Sequence, residues 1–173
     1  MAITFNADEI FEMAEQIERN AAGFYRDAAK RSHDKTTQKL FVDLAAMEDN
    51  HCQIFKEMRS QLTPGEKEPE TYDPENQAII YLQAMADSHG TEGKRSRAEK
   101  LTGAESMKEI LQIAVAAEKD SIVFYTALKE LVSPKAGRDK VDTIIDEELG
   151  HLVLLKWSLR TWMKVKRLGF RGS

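Results

Sequence analysis

The 173-residue chain has a single cysteine, Cys52, so it can form no internal disulfide and no metal site built from several of its own thiolates. It also lacks a long apolar run. The longest stretch without a charged side chain extends only from Asn76 to Ala86, about half of the roughly twenty residues needed to span a bilayer. The first residues, Met1 to Glu9, show no basic segment followed by an apolar one, so no secretory signal is evident. Net charge is small, −4, and one end is basic while the whole is mildly acidic, which argues against general nucleic-acid binding. These absences point to the cytoplasm. Runs of β-branched residues with a period of two, the signature of strands, are missing too. With 42% apolar and 31% charged residues, the composition is that of one folded domain spanning residues 1–173.

Proline and glycine are scarce, and all four prolines and five of the nine glycines fall in three groups, at Pro64–Pro74, Gly90–Gly103 and Pro134–Gly137. The segments between them are rich in Ala, Glu, Lys, Leu, Ile and Met, which are mostly good helix formers. The sequence predicts an all-α protein with long helices at about 7–31, 35–62, 104–132 and 138–168, and a short one at 74–88. Asn6 and Glu9 form a capping box for the first helix; Thr102 with Glu105 is expected to do the same for the third, and Ser133 is a candidate cap for the fourth. Asp73 would cap the short helix, with Pro74 in its first turn. The first and second long helices, and the third and fourth, are joined by short links and should be antiparallel neighbours. Residues 63–103 form a long crossover, giving an up-down-down-up four-helix bundle.

Helical spacing of three and four residues defines one face on each long helix. These faces are Phe11, Ala14, Glu18, Ala21, Tyr25 and Ala28; then Phe41, Leu44, Glu48, His51, Phe55, Met58 and Leu62; then Met107, Leu111, Ala114, Glu118, Ser121, Tyr125, Leu128 and Val132; then Val141, Ile144, Glu148, His151 and Leu155. Each face is apolar and should be core, yet each carries a Glu at its middle, and two carry a His. Burying one ionised carboxylate without compensation costs several kcal/mol, and four converging ones repel one another. No Lys or Arg shares these faces. Two divalent cations would balance the four carboxylates, with the imidazoles as neutral additional ligands. Glu48-x-x-His51 and Glu148-x-x-His151 each set two side chains one turn apart, within reach of one ion. One Glu each from the first and third helices would bridge or terminate the pair. Oxygen-rich ligation with one imidazole per ion suits Fe or Mn, with Zn also compatible.

The two halves repeat with an offset of one hundred: Glu18 and Glu118, Phe24 and Phe124, Tyr25 and Tyr125, Glu48 and Glu148, His51 and His151, with Ile10/Ile110, Ala14/Ala114 and Leu44/Ile144 in the same register. A pseudosymmetric bundle of this kind provides two equivalent half-sites around one axis. Tyr25 and Tyr125 lie two turns beyond Glu18 and Glu118 and are expected to donate hydrogen bonds to ligand carboxylates. Cys52 is expected to be a small buried side chain outside the site. Met47, Met58, Met85 and Met107 are expected to fill the core, His33 and His89 to be solvated, and Glu147 to point to another, exposed face. From Lys156 onward there are six basic residues, no acidic ones, and Trp157 and Trp162. Such a segment suits a helix C-terminus with the indoles in the core or a subunit contact. A docking surface for an acidic electron-transfer partner or an anionic lipid surface is the sharper alternative.

Taken together, Glu18…Tyr25, Glu48-x-x-His51, Glu118…Tyr125 and Glu148-x-x-His151 resemble the site of the rubrerythrin branch of the ferritin-like di-iron carboxylate superfamily, over nearly the whole chain. The resemblance implies a ferritin-like bundle, two Fe ions held by Glu18, Glu48, His51, Glu118, Glu148 and His151, and at least a homodimer. It further implies reduction of hydrogen peroxide, or Fe(II) oxidation by peroxide or dioxygen. Iron oxidation with storage or delivery, or a metal-stabilised scaffold without catalysis, are the alternatives. Rubrerythrins carry a rubredoxin domain with two C-x-x-C pairs; one cysteine here implies an external electron donor such as a rubredoxin. They also carry an additional Glu where this chain has Ser121. The six-ligand set is closer to that of bacterioferritin, but Asp49 occupies the place of its haem-ligating Met, so no haem is expected.

Overall fold

The computed structural model describes residues 6–67, 101–132 and 134–169, the last four by backbone alone. Four long helices carry the fold: α1 (Ala7–Arg31), α2 (Lys35–Ser60), α3 (Met107–Leu131) and α4 (Arg138–Gly169), with 3₁₀ turns at Pro64–Lys67 and Pro134–Ala136. Among the described residues there is no strand, and no helix is long and apolar enough to cross a membrane. The expected helix at 74–88 and the candidate cap Ser133 lie outside the described residues.

Local chemistry accounts for the helix ends. Asn6 accepts from the Glu9 amide at 2.8 Å while Glu9 accepts from the Asn6 amide at 3.0 Å, as the sequence predicts. Asp34 caps α2 through the Thr37 amide. The start of α3 differs from expectation. Thr102 and Glu105 do hydrogen-bond to each other, but Gly103 between them has φ +102°, a left-handed conformation that ends any helix there. The helix starts after Ser106, which forms its own capping box with Glu109. Ser106→Ala should therefore lower stability by about 1 kcal/mol, read from urea unfolding, whereas Thr102→Ala should cost less.

Two apolar clusters fill the bundle. One joins Ile10, Phe11 and Ala14 of α1 to Phe55 and Met58 of α2, Phe124, Tyr125 and Leu128 of α3, and Val141 and Ile144 of α4. The other joins Phe24, Tyr25 and Ala28 of α1 to Phe41 and Leu44 of α2, Ile110, Leu111 and Ala114 of α3, and Leu155 of α4. At the first cluster α1 and α4 contribute their N-terminal halves, α2 and α3 their C-terminal halves. Hence α2 and α3 run parallel, and the order is up-down-down-up. The one-hundred-residue repeat exchanges the two clusters: Ile10 becomes Ile110, Ala14 becomes Ala114, Phe55 becomes Leu155. The pseudo-two-fold axis therefore crosses the bundle at mid-height, between the clusters.

The packing faces read from the spacing are buried along their length, except that Ala21 and Met107 are only partly so. Cys52 is buried, receiving a long contact from Arg19 Nη1 at 3.9 Å. Of the methionines, Met58 is core and Met107 packs at its edge, but Met47 is 45% exposed, contrary to its expected core role. Met85 and His89 lie outside the described residues. His33 is exposed. The two tryptophans divide: Trp162 packs on the second cluster, whereas Trp157 is exposed beside Val153 on the outer face of α4.

Candidate metal centre

Between the two apolar clusters lies a polar layer of Glu18, Glu48, His51, Glu118, Glu148 and His151, all buried. Each long helix delivers its Glu from the middle of its packing face, and α2 and α4 add a His one turn on. The structure thus brings together all six residues singled out from the sequence.

Their atoms fall into two overlapping sets: Glu18, Glu48, His51 and Glu148 in one, Glu48, Glu118, Glu148 and His151 in the other, with the donor atoms of each set within 4.8 Å of one another. Glu48 and Glu148 are common to both. Glu18 and Glu118 each belong to one. The spacing alone left open which carboxylates lie centrally; the structure puts the acids of α2 and α4 there and those of α1 and α3 at the flanks. Both imidazoles turn Nδ1 inward. His51 Nδ1 lies 3.0 Å from Glu148 Oε1 and 3.3 Å from Glu48 Oε2; His151 Nδ1 lies 3.2 Å from Glu148 Oε2 and 3.3 Å from Glu48 Oε1. The rings stack with centroids 5.7 Å apart.

The protonation balance of the six groups follows from this crowding. Burial, then the Glu48 charge, pushes Glu18 well above the usual carboxylate range. Burial, with Glu148 beside it, pushes Glu118 up to about 8. Burial would raise the central pair too, but the close imidazoles and flanking acids hold Glu48 and Glu148 below the usual value. Burial disfavours charge on the imidazoles, yet the surrounding carboxylates outweigh it: His51 lies far above its ordinary value, and His151 is pushed up to about 12. On their own, therefore, the six groups reach neutrality with protons, two on the flanking acids and one extra on each imidazole.

The donor set fits a pair of divalent cations. Glu48 Oε1 and Oε2, Glu148 Oε1 and His51 Nδ1 are buried without a hydrogen-bond partner. Such atoms are costly unless something else satisfies them. They sit on the two central carboxylates and an inward-facing imidazole, where bridging and terminal ligand atoms of a dinuclear centre belong. Oxygen-rich ligation with one nitrogen per position suits Fe or Mn.

Two tyrosines tie the flanking acids across the bundle. Tyr25 on α1 donates to Glu118 Oε1 on α3, and Tyr125 on α3 donates to Glu18 Oε1 on α1. The sequence predicted phenol-to-carboxylate bonds, and the structure shows them crossing the pseudo-two-fold axis. Burial and the nearby carboxylates push both phenols well above their usual value, so both remain donors. A cavity of about 10 Å³, room for one water-sized molecule, opens between α1 and α3. Ala21, Phe24, Tyr25, Ala117 and Ser121 line it, and Glu48 and Glu118 close its inner end.

Two neighbours of the cluster went unrecognised in the sequence. Glu147 is half-exposed, as its position implies, but its Oε2 lies 2.6 Å from His51 Nε2. Met47 places Sδ 3.2 Å from His151 Nε2. They occupy equivalent positions in the repeat, each directly before a central Glu, and that correspondence was the available signal.

The family model Rubrerythrin matches residues 9–87. No curated protein matches the sequence significantly. Among solved structures, a crystal structure from Thermotoga maritima, assigned as a ferritin-like diiron-carboxylate protein, matches 92% of this chain and 98% of its own, with 28% identity and a TM-score of 0.66. The donor set, the family match over the first part of the chain and the shared fold agree: the chain resembles rubrerythrin over residues 9–87 and has the fold of a ferritin-like diiron-carboxylate protein.

Proposed function

We propose that the protein binds two iron ions and, in the diferrous form, reduces hydrogen peroxide or dioxygen, drawing electrons from an external donor protein. The observation that carries this reading is the pair of overlapping ligand sets that share Glu48 and Glu148 in a buried layer. Glu18 with His51 would complete one position, Glu118 with His151 the other. Iron bound there would supply the two electrons that take peroxide and two protons to two waters, each Fe(II) becoming Fe(III).

The chain's own groups serve that chemistry in definite ways. The apolar clusters above and below the layer exclude bulk water. Tyr25 and Tyr125 hold the flanking carboxylates in place by hydrogen bonds. The small cavity between α1 and α3 borders the layer at Glu48 and Glu118, with Ser121 at its wall rather than a larger acidic side chain. Electrons must come from outside these 173 residues, since a lone buried Cys52 cannot build a rubredoxin-type centre. The setting that fits is a reducing cytoplasm. A homodimer is the assembly proposed, with a second copy covering the apolar outer face of α4 at Leu149, Val153 and Trp157.

Anaerobic mixing of the diferrous protein with peroxide tests the reading directly. Fe(II) should be consumed within seconds at about one peroxide per two Fe(II). Absence of reaction in protein shown to carry two Fe(II) would overturn the redox assignment. Zinc bound after growth in iron-rich medium, with no oxidase activity, would favour a scaffold.

A further inference from the structure

The repeat makes the two halves of the centre nearly identical, so the places where it breaks are informative. The metal-facing residues match pairwise, and so do the two tyrosines. The imidazole edges that point away from the centre do not. His51 Nε2 faces the Glu147 carboxylate at 2.6 Å, and His151 Nε2 faces the Met47 thioether at 3.2 Å. With each Nδ1 presenting its lone pair to an ion, each Nε2 carries the proton and donates. A carboxylate is a strong, charged acceptor for it, and a thioether is a weak one. An imidazole that donates to a carboxylate is the more electron-rich ligand through its other nitrogen. The Glu147 charge also lies on the His51 side.

We propose that Glu147 and Met47 make the two metal positions unequal: the position of Glu18, Glu48, Glu148 and His51 binds its ion more tightly, and fills first, than the position of Glu48, Glu118, Glu148 and His151. This inference rests on the dinuclear reading above. Glu147 is a positioning residue, acting on the ion through His51. Because its side chain is 48% exposed, water competes for the same bond, and the effect falls toward the lower end of the tenfold to hundredfold range usual for such partners.

Mn(II) binding to the metal-free protein, followed by calorimetry, separates the possibilities. Glu147→Met copies onto the His51 side what the other half already has. It should weaken uptake of the first ion by about tenfold or more while leaving the thermal unfolding midpoint of the metal-free protein near that of wild type. Glu147→Gln, which keeps an acceptor oxygen without the charge, should recover part of the loss. Met47→Glu should strengthen the second step. Crystals given one equivalent of Mn(II) should show the anomalous peak beside His51 in wild type and divided between His51 and His151 in Glu147→Met. Two ions bound by Glu147→Met with wild-type affinities, or a first peak beside His151 in wild type, would overturn the proposal while leaving the dinuclear centre standing. Fewer than two ions in wild type would overturn the dinuclear reading, and this inference with it.

Discussion

Glu48→Ala should lose both metal ions at once, whereas Glu18→Ala should lose one. The expectation follows from the geometry of the shared carboxylates. Glu48 belongs to both donor sets, with Oε2 turned toward His51 and Oε1 toward His151. Its removal takes a ligand atom from each position and leaves Glu148 as the one remaining central acid between two cations. Glu18 belongs to the His51 set alone. Without it, the Glu48, Glu118, Glu148 and His151 set is intact. Metal content per chain, measured after anaerobic loading and gel filtration, should fall from about two to near zero in the first variant and to about one in the second. Glu148→Ala should match Glu48→Ala, and Glu118→Ala should match Glu18→Ala. If Glu48→Ala and Glu18→Ala lost the same amount of metal, the shared role of the central pair would be wrong. Folding must be checked by circular dichroism, since the variants remove side chains from a packed layer.

The contrast between central and flanking acids marks where reading the sequence ends. Helical spacing places Glu18, Glu48, Glu118 and Glu148 each on a core-facing stripe, and the repeat pairs them. Spacing acts within one helix. It does not say how far each helix stands from the bundle axis, and that distance separates a bridging acid from a terminal one. The tyrosines show the same limit: position on α1 identifies Tyr25 as a partner for some carboxylate, but only packing against α3 chooses Glu118. Met47 is not core, and the reach of Glu147 to an imidazole escapes the spacing, because both sit beside the core stripe, not on it. A side chain at that flank can be half-exposed and still reach the outer edge of an imidazole on the neighbouring helix. The α3 cap lies four residues beyond Thr102 because Thr102 and Glu105 make only half of a capping box, Glu105 accepting from the Thr102 amide, while the backbone at Gly103 turns the chain away from a helix. The helix ends at Asn6, the stripes and the parallel course of α2 and α3 were legible because each depends on local chemistry or on link length.

Metal affinity should rise steeply with pH between about 6 and 8, because the ligands hold protons that the ions must displace. Glu118 keeps its proton up to about 8, Glu18 keeps its own well above the usual carboxylate range, and both imidazoles are held in their charged form by the acids around them. Glu48 and Glu148 are already ionised. Uptake of two ions near neutrality thus releases about four protons, and the constant for loading the pair should increase by about 10²–10⁴-fold per pH unit. Folding of the metal-free chain has the opposite slope. Glu118 and the imidazoles have folded-state values raised above the unfolded ones, so the folded form holds more protons between the two values. Their contribution is fully present below the unfolded value and is lost as pH rises through the folded one. For Glu118 that window runs from about 4.5 to about 8. Raising pH across it should lower the unfolding midpoint of the metal-free protein and raise the increment gained on adding Mn(II). Differential scanning calorimetry at pH 6 and 8, with and without Mn(II), measures both slopes, and proton release into a weak buffer with an indicator dye counts the displaced protons. Release of fewer than one proton per ion at pH 7, or a metal-induced increment that shrinks from pH 6 to pH 8, would mean that the carboxylates and imidazoles reach the ions already deprotonated, and the partition of protons drawn from their packing would be wrong.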